Sequence, residues 1–178
     1  MNRSEPSFFR LFRRSHYLCG LDEDDESEGA KEVREERERF VVAALAFCLK
    51  YDRKFLAHFL RSVCHFPNDE SKMPRIKPEG ILLEPQRWSD LRLVCEKQGR
   101  RYVWVIEVKA GAPLEAKQNP DKSEFFTKYT GYGALLENEE SDPRTQLHYV
   151  VLGAREKELG IRREQKLRRI WVQRRAWE

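Results

Sequence analysis

The sequence predicts an α/β fold, a mixed central sheet of four to five strands flanked by helices. Three observations predict it. Two stretches with helical spacing lead the apolar part of the chain; an alternating segment at 91–95 and a β-branched and aromatic run at 102–108 flank a Gln98-Gly99 turn; and a largely apolar strand-like run at 147–152 follows a stretch of helical periodicity at 123–136.

Taken in order, the first helix begins near Glu32 and repeats Phe40, Ala43, Ala44, Phe47 and Cys48 on one face. The second runs from Arg53 to His65, with Phe55, Phe59, Leu60 and Val63 at helical spacing. Pro67, Pro74 and Pro78 make the next stretch a connecting loop. Ile81–Leu83 reads as a short strand. Leu91, Leu93 and Cys95 then alternate toward the turn, and Tyr102–Val108 is rich in β-branched and aromatic residues, as a buried strand requires. Ser123–Leu136 is expected as a helix burying Phe126, Tyr129, Leu135 and Leu136, although Gly131 and Gly133 each weaken it by about 1 kcal/mol. Strands at Leu147–Leu152 and Leu167–Val172 complete the sheet, with the first two helices on one face and the Ser123 helix on the other.

At 178 residues the chain is long enough for one domain with a real core, and 40% hydrophobic content is compatible with that. A charged fraction of 36% places part of it outside the packed body. Residues 1–34 are read as a mobile charged arm, in which Phe8, Phe9, Leu11 and Phe12 alternate with arginines before the acidic run Asp22–Glu28, and residues 35–178 as the domain. A solvated tail is favoured there over a membrane or nucleic-acid anchor, because blocks of like charge resist packing. The net charge of +4 permits a polyanionic partner without requiring one. Cys19, Cys48, Cys64 and Cys95 form no C-x-x-C pair, which fits a reducing cytosol and a cytoplasmic location. The longest apolar stretch, Phe40–Leu49, is far short of the roughly 20 residues a spanning helix needs, so no membrane partner is expected. Oligomeric state is left open.

The chemistry lies in the predicted hairpin. Asp90 stands as far before Gln98 as Glu107 stands after Gly99, so a symmetric turn opposes the two residues. Opposed side chains of an antiparallel pair share a face with Cβ atoms about 4.5–5.5 Å apart. The period of two along a strand returns Lys109 to that face. Two carboxylates so close repel each other unless a cation neutralises them, and an all-oxygen set points to magnesium or manganese rather than zinc. A Glu-x-Lys on a strand is by itself most often a solvated face; the Asp at the head of the partner strand gives the pattern its weight.

Trp88-Ser89-Asp90-Leu91, followed by Val105-Ile106-Glu107-Val108-Lys109-Ala110, resembles the core signature of the PD-D/E-x-K phosphodiesterases, which include restriction, repair and phage-defence nucleases. The resemblance covers roughly residues 35–177, by order of elements more than by identity. It implies a restriction-endonuclease-like core. It also implies metal ligation by Asp90, Glu107 and the Val108 carbonyl, helped by a helical glutamate for which Glu38 fits best and Glu35 and Glu36 are rivals, with Lys109 beside the nucleophilic water. The implied cofactor is Mg2+, with Mn2+ able to substitute. Ser89 stands where the family has proline. The family's Gln, about one turn before a Tyr on the following helix, is also altered: Tyr129 is present, Phe125 occupies the Gln position, and Gln118 is the substitute from the loop.

Lys117, Lys122 and Lys128 follow the signature strand, and with Tyr129 they are candidates for nucleic-acid contact. The basic end, Arg162, Arg163, Lys166, Arg168, Arg169, Arg174 and Arg175, is the stronger patch, with Arg168 and Arg169 as its leading candidates and Trp171 as either a base-stacking or a core residue. His58, His65 and Cys64 match no zinc-ligand spacing and are read as structural. The expected function is a magnesium-dependent nuclease, endo- or exonucleolytic, acting on DNA. The alternative is a nuclease-like module that binds nucleic acid or a protein partner without cleaving; an unrelated adaptor would bind no metal.

Overall fold

The apolar residues on either side of Gln98-Gly99 build two neighbouring strands of the sheet, the second of them buried almost throughout. The computed structural model describes residues 28–64, 81–84, 88–109, 113–153 and 164–176, without the side chains of 28–37 and 81. The readings made for Cys19, His65, the proline loop, Arg162, Arg163 and most of the charged arm lie outside these residues. Helix α1 spans Glu28–Tyr51 and α2 spans Arg53–Ser62; Asp52 caps α2 by accepting from the Lys54 and Phe55 amides. Strand β1 is Ile81–Glu84, β2 is Leu91–Lys97 and β3 is Arg100–Lys109. After the 3-10 turn Ser123–Phe126 come α3 (Tyr132–Glu139), β4 (Gln146–Gly153), β5 (Glu164–Leu167) and β6 (Ile170–Ala176).

The six strands form one mixed sheet in the order β1-β2-β3-β4-β6-β5. Strand β3 runs antiparallel to β2, with Leu91 opposite Ile106 and Lys97 opposite Arg100. Gln98 and Gly99 both take positive φ, 51° and 71°, the backbone of a tight two-residue hairpin. That is the symmetric register read from the sequence. Strand β4 adds parallel to β3, and β6 parallel to β4, so Glu107, Val151 and Arg174 lie in one row across three strands.

Each face of the sheet carries a core. Val41, Leu45, Leu49, Leu56 and Phe59 of the N-terminal helices pack on Leu91, Leu93, Trp104, Ile106, Val108 and Val150. On the other face Phe125, Tyr132 and Leu136 cover Val103, Val105, Tyr149, Val151 and Val172. No helix among the described residues is long and apolar enough to cross a membrane.

Several expectations are corrected. Helix α1 begins at Glu28, four residues before the start expected near Glu32; Glu28, Ala30 and Lys31 are strong helix formers. Its buried stripe is Val41, Leu45 and Leu49, while Phe40 and Phe47 are 61% and 64% exposed, because the helix carries two apolar stripes and only one meets the sheet. The helix expected over 123–136 is broken into the 3-10 turn and α3. A Cβ on Gly131 would stand 2.3 Å from the Glu124 carbonyl oxygen, and this close approach, with Tyr129 at φ 73°, lets the chain turn there. Tyr129, expected to be buried, is 71% exposed. The strand expected at 167–172 is interrupted by a turn with Arg168 at φ 51°, which makes a β5–β6 hairpin and a sixth strand. The sequence of β5, Glu-Gln-Lys-Leu, is polar because it forms the sheet edge.

Candidate metal centre

Three carboxylates meet where β3 ends. Asp90 immediately precedes β2, and its Oδ2 accepts a 2.7 Å hydrogen bond from the Val108 amide, which fixes the carboxylate against β3. Glu107 shares that side of the sheet. Glu38 comes from α1, one turn ahead of the buried Val41, and reaches around the end of the sheet. One oxygen from each of Glu38, Asp90 and Glu107 can be chosen so that all three lie within 4.8 Å of one another. Lys109 Nζ lies 2.7 Å from Glu38 Oε1 and 2.8 Å from Glu107 Oε1.

A second ring of contacts holds Glu107. The Gln118 side-chain amide donates to Glu107 Oε1 at 2.8 Å and to the Tyr132 hydroxyl at 3.0 Å. The Glu115 amide donates to Gln118 Oε1, and the Tyr149 hydroxyl donates to the Gln118 carbonyl, so both ends of this residue are set. Trp88 packs edge-on against Tyr132, with ring centroids 5.0 Å apart. Gln118 therefore reaches the site from the loop as the sequence suggested, and its tyrosine partner is Tyr132. Residue identity gave little signal for Tyr132. Its position just after Gly131, which ends the irregular segment, was the available clue.

The electrostatics are unfavourable as they stand. Burial, then repulsion from Asp90 and Glu38, raises Glu107 to about 8, against the pull of Lys109. Burial raises Asp90 to about 6 despite the Val108 hydrogen bond, and Glu38 adds to the rise. Burial alone would lower Lys109, but Glu107 and Glu38 hold it above its ordinary value. Burial, then the nearby Glu107 charge, lifts Tyr132 to about 12. Glu107 is 2% exposed, and its Oε2 accepts no hydrogen bond among the described residues. With all three acids ionised, three negative charges and one ammonium leave two negative charges, the complement of one divalent cation. The donor set, all oxygen, with one buried carboxylate oxygen uncommitted, fits such an ion.

The remaining sequence candidates divide. Glu35 and Glu36 lie in α1 with side chains outside the described residues. The Val108 side chain is buried in the core of the opposite face, which leaves its backbone at the site. Lys117 pairs with Glu115 at 2.9 Å in the loop that carries Gln118. Lys128 lies 4.7 Å from the centroid of the exposed Tyr129 ring, four residues before Tyr132. Arg168 and Arg169 do not join the site. They precede Ile170, which pairs with the beginning of β4, about 13 Å along the strand from the row of Glu107 and Arg174. Arg168 stacks on Phe126 and pairs with Glu137, and Arg169 donates to the Asp142 carbonyl. Arg174, expected on a basic surface, is 1% exposed and lies 3.0 Å from Asp121. Cys48, Cys64 and Cys95 are free thiols.

In comparisons with known proteins the chain matches no family model, no curated protein and no solved structure.

Proposed function

We propose that this chain is a divalent-metal-dependent nuclease that hydrolyses phosphodiester bonds, with DNA as the expected substrate. One observation carries the reading: three carboxylates converge beside a lysine, and the most buried of them keeps an oxygen that no group among the described residues satisfies. Burying like charges lowers the stability of a fold, and removing a charge from water is offset by a partner lysine only in part. Groups held at such a disadvantage, with strongly displaced proton affinities, are characteristic of sites that act on something.

Glu38, Asp90, Glu107 and the Val108 carbonyl would hold the ion, Mg2+ with Mn2+ as a substitute. Once bound, it would stabilise the charge that builds on the phosphate and make water a stronger nucleophile. The protein's own groups set the geometry. The Val108 amide fixes Asp90, and Gln118 fixes Glu107. Lys109, on the same face, would orient the attacking water and neutralise charge in the transition state. The glutamate-bearing helix, the antiparallel hairpin and the parallel strand β4 support a restriction-endonuclease-like core.

The test is incubation of wild type and Asp90→Asn with supercoiled plasmid, linear duplex, single-stranded DNA and RNA, with magnesium or with chelator. Cleavage by the wild type that needs magnesium and disappears in the variant supports the reading. Cleavage of nothing in this panel, or cleavage indifferent to Asp90, overturns it.

A further inference from the structure

We infer that Lys109 is a built-in counter-ion of the metal centre, which an incoming divalent cation must displace, so that loading the ion and freeing the lysine are a single event. The inference rests on the metal-site reading above. Two of the three clustered carboxylates, Glu38 and Glu107, are already engaged by Lys109 Nζ at 2.7 and 2.8 Å. The Lys109 side chain is 9% exposed, so water does little to screen it. An ammonium and a divalent ion draw on the same oxygen lone pairs. They also repel each other across the few ångströms that separate positions within this cluster.

The arrangement gives the exchange an order. Glu107 Oε1 receives both Lys109 and Gln118, whereas Oε2 is buried with no donor among the described residues. A cation can therefore engage Oε2 while Nζ still holds Oε1. As the ion draws Glu38 to itself, the lysine loses one carboxylate and shares the other with a cation. It is then drawn to the next negative charge, which is the phosphate of a substrate. In the metal-free protein the same ammonium is held by two carboxylates. Lys109 thus weakens metal binding, and a lysine free to act appears only when the ion is in place.

The experiment is calorimetric titration with Mn2+ of the wild type, Lys109→Gln and Lys109→Arg, with folding checked by circular dichroism. Removal of the charge in Lys109→Gln should tighten Mn2+ binding by about tenfold or more, while Lys109→Arg, which keeps it, stays near the wild type. Equal or weaker binding by a folded Lys109→Gln overturns the inference while leaving the metal centre intact, provided the wild type binds. Absence of Mn2+ binding in both overturns the inference together with the reading beneath it. Labelling of the wild type with an amine-reactive acetylating reagent, read by mass spectrometry, avoids any folding defect. Lys109 should be modified faster with Mn2+ than without it, and an equal or slower rate contradicts the displacement.

Discussion

The Val108 amide donates to Asp90 Oδ2 at 2.7 Å, so the backbone of the strand that carries Glu107 and Lys109 also fixes the carboxylate opposite them. Asp90→Asn keeps an oxygen able to accept that bond and removes one charge. Metal affinity and cleavage should both collapse while the fold survives. The metal-free variant should be more stable than the wild type at neutral pH, by roughly 1–3 kcal/mol, because burial holds Asp90 near 6. Paired denaturant melts in chelator, with a metal titration alongside, check both halves.

Lys109→Met leaves the three carboxylates in place. Turnover should fall by roughly 10²–10⁴-fold, the usual range for a group that assists proton transfer, while Mn2+ still binds. Glu38→Gln should be intermediate, because it removes one oxygen ligand charge and one partner of Lys109. An unchanged rate in Glu38→Gln would reduce Glu38 to a helix charge with no part in the site.

Gln118→Leu should lower metal affinity or turnover by roughly 10–100-fold, the usual effect of losing a group that orients a ligand. Tyr132→Phe should have a smaller effect, since Gln118 retains its bond to Glu107 without the hydroxyl. Steady-state kinetics over a range of magnesium concentrations distinguish the two variants. A Tyr132→Phe defect larger than that of Gln118→Leu would reverse the order of importance assigned here.

Two buried groups give stability opposite pH dependence. Burial and like charges raise Glu107 from its ordinary 4.5 to about 8, so its contribution is full below 4.5 and is lost as pH rises through 8. His148, stacked on Trp104, is lowered by burial from 6.5 to about 3, so its contribution is full above 6.5 and is lost as pH falls toward 3. Metal-free protein should therefore lose stability from pH 6.5 to 8.5, by about 2 kcal/mol from Glu107. Glu107→Gln should flatten that limb, and His148→Phe should flatten the acid limb. Magnesium at about a hundred times its Kd should return roughly 2.7 kcal/mol at high pH. Melting curves from pH 4 to 8.5 give all of these comparisons.

The hairpin was legible because a tight turn at Gln98-Gly99 ties register to residue number, and with it the side of the sheet on which Asp90, Glu107 and Lys109 emerge. The same logic failed on α1. Phe40 and Phe47 recur at helical spacing as well as Val41, Leu45 and Leu49 do, and only the sheet decides which stripe is buried. Arg168, Arg169 and Arg174 are close in sequence, yet strand direction sends the first two to one end of the sheet and the third into the other. Tyr132 depends on a contact fourteen residues back at Gln118, which no local pattern announces.

Glu38, Asp90 and Glu107 are proposed to hold one divalent ion together. Counting bound manganese, from the loss of the free-ion paramagnetic resonance signal on adding protein, tests it most directly. One ion per wild-type chain, lost or much weakened in Asp90→Asn and Glu107→Gln, is the predicted result. A wild type that leaves the free-ion signal undiminished, or an Asp90→Asn protein that binds manganese as tightly as the wild type, would contradict it.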